Sequence, residues 1–542
     1  MFKTLTSKRP SLTLSVLAAF LLWTVISTPY KNSPPIRSDG VGYHVWVHAF
    51  KSFDFNFCKY KNLLEPTGSI SVFNEDRSLC GIKYPPGLAL LQFPFVAYWV
   101  SNDIISGYSP EQHLIVLLIG AGLLLLWSIL SYQSLVLLGC SVQARLIAVP
   151  ATVVGSGLLH YATYDASLSH IYSAAGLSAM LWVVIKAGQS RWSWFYLSAF
   201  TVLSWWLYLV RPTNAIVTFA VLLFSWVSST NRTRLTVSLL WLLATATAAG
   251  LIVLYNFHVT GRFTLSSYGT EGFVEIASHA SQVMLSYTRG LVLYQPIFIL
   301  TALLALALRR SGFTFIFAAL LALYTLLYSS WHSWALGSGF GHRGFVELSS
   351  LGVLVLGLSL SRLPKILRLL AYSVVIASCY VTGSIMIAYW HGDYPYSDAH
   401  RADYFKAVFP PLRYEQYKLS YGVNDLKAIS VSLKGKTKNE RVEAVTLSLK
   451  NKGLATIYAE PSIYHPVRIG WRFIDAQGRA VTSWDYRQDI SVDLPADGEI
   501  NVSISIDSKK AIVGGSLQVS LVQETKFWLH DVGVEPLTVA LD

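Results

Sequence analysis

Two kinds of charged side chain in this 542-residue chain stand where they could do chemistry. The first is a carboxylate, Asp39, in the stretch RSDGVGYHVW. The second is a set of cations at the boundaries of apolar runs: Lys83, followed by Tyr84, in GIKYPPGLALL; Arg211 in YLVRPTNA; Arg289 in SYTRGLVLYQP; and Arg343 in SGFGHRGFVEL. The stretch HYATYDASLSHIYS adds Asp165 and His170, an acid and an imidazole five residues apart. A carboxylate within hydrogen-bond reach of a hydroxyl can take its proton as that oxygen attacks an electrophile. Guanidinium and ammonium groups at the edge of a bilayer can hold an anion such as a phosphate and stabilise charge that develops on it. Each residue also has a plainer reading. Asp39 before Gly40 shapes a turn, Lys83 snorkels to lipid headgroups, an arginine pairs with a nearby acid, and Asp165 is an exposed loop acid.

The elements that must position these groups follow from composition. Hydrophobic residues make up 53% of the chain and charged residues 13%, against roughly 25% charged in an ordinary soluble domain. Apolar runs recur from residue 11 to residue 388, while the last part of the sequence alternates polar and apolar residues. The expectation is a polytopic α-helical membrane unit over 1–389, a linker over 390–439 and an all-β sandwich over 440–542. The formal charge of +12 does not point to nucleic acid, because Lys and Arg fall in short clusters between apolar runs and not in one stripe with interleaved aromatics.

Those clusters set an orientation. Lys3, Lys8 and Arg9 precede the run 11–29, and further clusters fall at Lys186 with Arg191, Arg232 with Arg234, Arg309 with Arg310, and Arg362 with Lys365 and Arg368. The positive-inside trend assigns all of them to the cytoplasm. Parity then requires that GLALLQFPFVAYWV, residues 87–100, lie on the outer surface without crossing, which leaves about eleven crossings. The outer face collects the loops 30–86 and 257–289, the turns at Asp165, Arg211 and 331–344, and the C-terminal domain. It also collects nearly every acid of the membrane unit: Asp39, Asp54, Glu65, Glu75, Asp76, Asp165, Glu271 and Glu275. Cys58 and Cys80 share the first outer loop, where an oxidising compartment would permit a disulfide. Cys140 and Cys379 read as packing residues.

The ordered motifs SDGVGY, KYPPG, YDASLSH, LVRPTN, TRGLVLYQP and WALGSGFGHRGF resemble the membrane glycosyltransferases of the C superfamily (GT-C) over nearly all of residues 1–388. The resemblance implies a polyprenyl-phosphate-linked sugar donor, Asp39 as catalytic base, Lys83 as ligand of the donor phosphate, Asp165 as the second-loop acid and Arg343 as a cation near the phosphate. Tyr84, His170, Arg211 and Arg289 join them as candidate substrate-binding residues. The family often has two adjacent acids in the first loop. Here Gly40 follows Asp39, so a divalent metal ion stays an open cofactor. The C-terminal strands, ending in KFWLHD, resemble β-sandwich domains attached to bacterial polysaccharide assembly proteins. Trp471, Trp484 and Trp528 there read as core residues or as glycan contacts.

The function expected is transfer of a sugar from a polyprenyl-phosphate donor to a glycan, lipid or protein acceptor at the extracytoplasmic face of a bacterial inner membrane, in cell-envelope glycan biosynthesis. One base facing several cations suits a single inverting displacement. A retaining route would need a second carboxylate as nucleophile, for which Asp165 and Glu271 are candidates. The alternatives are a polysaccharide polymerase or ligase, which would lean on arginines more than on an aspartate base, and a lipid-linked sugar flippase. The last would carry internal repeats and mid-membrane charges, and the sequence has neither.

Overall fold

The structure is a computed structural model that describes residues 35–74, 78–100, 108–227, 229–265, 268, 271–308, 312–337, 339–397, 399–409, 421–438, 442–459, 466–484, 486–507, 515–524 and 527–541. The expected first crossing 11–29 with its basic flank, Glu75, Asp76, and Arg309 with Arg310 lie outside these residues. The chain divides into two compact units, residues 1–390 with 394–404, and residues 391–393 with 405–542.

Among the described residues of the first unit six helices are long and apolar enough to cross a membrane: Pro110–Leu137, Ser169–Gln189, Asn231–Thr260, Gly312–Ser329, Arg343–Arg362 and Lys365–Trp390. Shorter apolar helices include Val142–Gly155, Trp194–Val210, Asn214–Val227 and Pro296–Leu308. Their ends follow local rules. Ser109 accepts a hydrogen bond from the Gln112 amide ahead of Pro110, and Thr230 accepts one from Thr233 ahead of the 30-residue Asn231–Thr260 helix, which stops at Gly261 in the left-handed region. At 1.5 Å per residue that helix is roughly 45 Å long, more than a hydrocarbon core needs, so an end projects beyond it.

The structure breaks two runs read as continuous. The run 144–161 becomes Val142–Gly155 and Leu158–Thr163, split at Gly157 with φ 78°. The run 290–308 becomes Leu291–Tyr294 and Pro296–Leu308, because Pro296 cannot donate to the preceding turn. The stretch 87–100 forms the ten-residue helix Gly87–Val96 and one 3₁₀ turn. The first loop is built from the helix Asp39–Ser52, a hairpin of β1 (Ile70–Asn74) and β2 (Leu79–Ile82), and a disulfide joining Cys58 to Cys80.

Two glycines set how closely the site-bearing elements approach. A side chain on Gly120 would collide with the Ala162 carbonyl, and one on Gly87 would collide with the backbone at Leu209 and Val210. The first contact seats the helix before Asp165, and the second seats the segment after Lys83 beside Arg211.

The second unit is a sandwich of two antiparallel sheets. One has the order β3 (Ile429–Lys438), β4 (Val442–Asn451), β7 (Glu499–Asp507). The other has β10 (Leu537–Ala540), β8 (Ser516–Gln523), β5 (Val467–Ile474), β6 (Tyr486–Asp489), with β9 (Phe527–Trp528) also on β8. Alternate residues such as Val445, Leu447, Ile504, Ile469, Phe473 and Leu521 form one core. Trp471 is part of that core, whereas Trp484 and Trp528 are half-buried on the unit's surface. The stretch 390–439 differs from the linker expected of it. It contains the short helix Val423–Lys427 and the whole of β3, whose pairing with β4 is interrupted by a bulge between Leu433 and Gly435.

Substituting Gly120 with valine should destabilise the membrane unit by about 1–3 kcal/mol, since the backbone it meets cannot yield as a flexible side chain would. A lowered melting temperature of the detergent-solubilised chain is the expected result, and an unchanged one contradicts the close approach.

Candidate functional site

Asp39 is the first residue of the Asp39–Ser52 helix, where a carboxylate meets the positive end of the helix dipole. The turn that the sequence assigned to Asp-Gly lies one residue earlier, at Ser38 with φ 49°, and Gly40 and Gly42 belong to the helix. Both are needed for contact: a side chain on Gly40 would collide with Ser167, and one on Gly42 with the Tyr84 ring. Tyr84 thereby stands beside Asp39, where its hydroxyl helps to hold the carboxyl ionised.

The other oxygen-facing partner of Asp39 is Arg343, whose Nη2 stands 2.7 Å from Oδ2. The Asp39 side chain keeps 20% of its surface exposed, enough to be reached. Burial pushes its carboxyl up, but Arg343, the Tyr84 hydroxyl and Lys83 together outweigh burial and hold it below the usual carboxylate range.

Lys83 lies 3.0 Å from Glu271 Oε1, with its ammonium near the rings of Tyr84 and Tyr268 at 5.4 and 5.9 Å. Among the described residues it is the only Lys, Arg, Asp or Glu on the wall of a cavity of about 410 Å³, whose remaining lining is dominated by Trp46, Pro86, Trp205, Leu251, Tyr255 and similar residues. A cation on the wall of an otherwise apolar groove suits an amphiphile with an anionic head.

Arg211 donates to Glu347 Oε1 at 2.8 Å, and His170 Nδ1 lies 3.0 Å from the same oxygen. Glu347 is 1% exposed. Sequence reading missed it, although an acid four residues after Arg343 inside an apolar run is itself a signal. Asp165 pairs with a different histidine from the one five residues after it. His160 Nε2 lies 2.8 Å from Oδ2, while Arg37 donates through Nε and Nη2 to Oδ1 at 2.9 and 2.8 Å. The Trp390 indole N–H donates to His160 Nδ1 at 2.9 Å. An indole nitrogen can only donate, so Nε2 of His160 carries the proton that Asp165 receives. Arg37 and His160 overcome burial to hold Asp165 well below the usual range.

Arg289 stands apart from this pattern. It donates to the carbonyls of Ala335 and Tyr396, each at 2.7 Å, and is 3% exposed. Its bonds tie two backbone segments together, which is neither the anion contact nor the carboxylate pair that the sequence allowed.

Asp39, Lys83, Tyr84 and Arg343 thus form one connected group, with Tyr43, Tyr268 and the Arg211–Glu347–His170 trio electrostatically linked to it. The donor set suits a divalent ion poorly. Among the described residues no three His, Cys, Asp or Glu converge as ligands, and Asp39 and Asp165 each face a guanidinium.

No family model matches the chain, and no curated protein matches it. Among solved structures the fold is similar to that of ArnT from Cupriavidus metallidurans bound to undecaprenyl phosphate, with 15% identity, a TM-score of 0.45, and 71% of this chain and 66% of that one covered. It is also similar to the Archaeoglobus fulgidus oligosaccharyltransferase in the apo form, with 13% identity, a TM-score of 0.42, and 77% of this chain and 60% of that one covered. The chain spans less than two thirds of either neighbour's length.

Proposed function

We propose that the chain is an integral membrane glycosyltransferase of the GT-C kind that moves a sugar from a polyprenyl-phosphate donor to a hydroxyl acceptor, with inversion, at the extracytoplasmic face of a bacterial inner membrane. The observation that carries this reading is the pairing of Asp39 with Arg343 close to Tyr84 and to Lys83, which lines an apolar groove. The acceptor is a glycan, lipid or protein of the cell envelope.

In this reading the polyprenyl chain lies against the groove and its phosphate meets Lys83 and Arg343. Each of these cations now has a carboxylate partner, Glu271 and Asp39 respectively. A phosphate oxygen offers a stronger acceptor to both, and when Arg343 turns to it, Asp39 loses the positive charge that depresses its basicity. The acceptor hydroxyl then attacks the anomeric carbon. Its proton passes to Asp39, and the bond from that carbon to the phosphate oxygen breaks, leaving the electron pair on the lipid phosphate. Lys83 and Arg343 hold that charge, with Arg211 adding its field, so no general acid is needed. Tyr84 stands beside the Asp39 carboxylate and helps to hold it ionised. Glu347, with His170, orients Arg211, and Arg289 holds the loop backbone near it.

Two outcomes test the assignment in the purified full-length chain. Asp39→Asn keeps size and polarity but cannot accept a proton, and should lower kcat about 10²- to 10⁴-fold. Wild-type turnover by this variant contradicts the base assignment, and movement of lipid-linked sugar across vesicles without transfer favours a flippase.

The pH dependence carries a sign. Because the folded Asp39 pKa lies below the ordinary 3.8, the carboxylate stays ionised down past that value. The acid limb of kcat/KM, which reports free enzyme, should therefore lie below about pH 4. The limb of kcat, which reports the complex in which phosphate has taken Arg343, should lie at higher pH. Coincident limbs contradict the exchange of partners.

A further inference from the structure

Ser38 immediately precedes Asp39 and has φ 49° and ψ −134°. A residue with a side chain avoids this region and keeps it only where the surroundings impose it, which happens most often at functional sites. The surroundings here do so residue by residue. The Ser167 hydroxyl donates to the Pro35 carbonyl at 2.6 Å, and the Ile36 amide donates to His113 Nδ1 at 3.2 Å. The Arg37 guanidinium is gripped by Asp165 through two N–H groups and lies 4.0 Å over the Tyr164 ring. Beyond the strained residue, the amides of Gly40 and Val41 donate back to the carbonyls of Arg37 and Ser38 at 2.9 and 3.0 Å. Gly40 lets Ser167 press against the first helical turn.

Both oxygens of Asp165 are occupied by this work. One receives Arg37, and the other faces His160, which is fixed in turn by Trp390. The chain Trp390, His160, Asp165, Arg37 therefore ends at the backbone that carries Asp39, two residues from the carboxylate itself.

We propose that Asp165 is a positioning residue: acting through Arg37, it holds the strained Ser38 turn that aims Asp39 at Arg343, and it does not touch the substrate. This replaces the substrate-binding role expected for Asp165, and it rests on the reading of Asp39 as proton acceptor. Asp165→Asn retains an acceptor for His160 while removing the charge that grips Arg37. Arg37→Gln removes the grip from the other side.

The experiment is a double-mutant cycle in the full-length chain with a polyprenyl-phosphate sugar donor. Each single variant should lower kcat about 10- to 100-fold with the donor KM nearly unchanged, since misaimed groups lose rate before binding. The double variant should be no slower than the worse single one, because both changes cut the same link. A large rise in KM for Asp165→Asn while Arg37→Gln is silent, or losses that multiply, overturns the proposal. A second readout needs no turnover. Carbodiimide modification of Asp39, followed by peptide mass spectrometry, should rise several-fold in either single variant and no further in the double one, and unchanged labelling overturns the proposal. Arg37→Lys keeps the charge pair but not the two-pronged geometry, and should move both readouts in the same direction by less. A wild-type chain that transfers no sugar sinks the transferase reading, whereas the labelling still decides the positioning role.

Discussion

A charged group taken from water at the end of a helix bundle must be matched by an opposite charge close by, and the site is organised by that requirement. Removing one member of a buried pair typically costs about 3–5 kcal/mol, because the survivor is left uncompensated in a poor solvent for ions. Arg343 with Asp39, Arg211 with Glu347 and Arg37 with Asp165 each join segments far apart in the chain. The pairs therefore act as long-range fasteners as well as chemistry. Glycines at 40, 42, 87 and 120 bring the segments near enough for those pairs to close.

The same matching defines what the site can release. Lys83 and Arg343 are partly accessible, at 14% and 12% of their side-chain surface, and their partners Glu271 and Asp39 are more exposed than they are. Arg211 is as accessible, at 15%, but its partner Glu347 is 1% exposed and would be left buried without a counter-charge, and Arg289 is spent on backbone carbonyls. The two groups of cations therefore have different prospects. In the proposed mechanism the first trades a carboxylate for an incoming anion, and the second supports the framework. The apolar groove meets the first group at Lys83.

Residue type and boundary position were legible in the sequence, and pairing was not. Asp39, Lys83 and Arg343 were recognisable because charge is rare beside apolar runs, yet nothing in SDGVGY says that Arg343 lies 2.7 Å away. The stretch HYATYDASLSH places His170 five residues after Asp165, but a helix start at Ser169 carries His170 to Glu347, and the histidine on Asp165 is His160, five residues on the other side. Glu347 was overlooked because a single acid in a hydrophobic run looks like noise until an arginine and a histidine are found on it. In the second unit alternation and apolar runs revealed β4, β5, β7 and β8, but not the four-residue strands β6 and β10. They did not reveal β3, ISVSLKGKTK, where lysines, a glycine and a bulge blur the period of two. Long helices were plain from hydropathy, and the breaks at Gly157 and Pro296 could have been read from those residues alone.

Asp165 faces Arg37 and His160, and Glu347 faces Arg211 and His170, so neither is free to attack an anomeric carbon in place of the acceptor, and Glu271, the partner of Lys83, is the acid through which a retaining route would have to run. The proposed single displacement assisted by Asp39 inverts the anomeric centre, whereas a route through Glu271 retains it. The most direct test is the anomeric configuration of the sugar in the purified product, read by NMR coupling constants against that of the donor. The account requires the opposite anomer; a product with the donor's own configuration would contradict it.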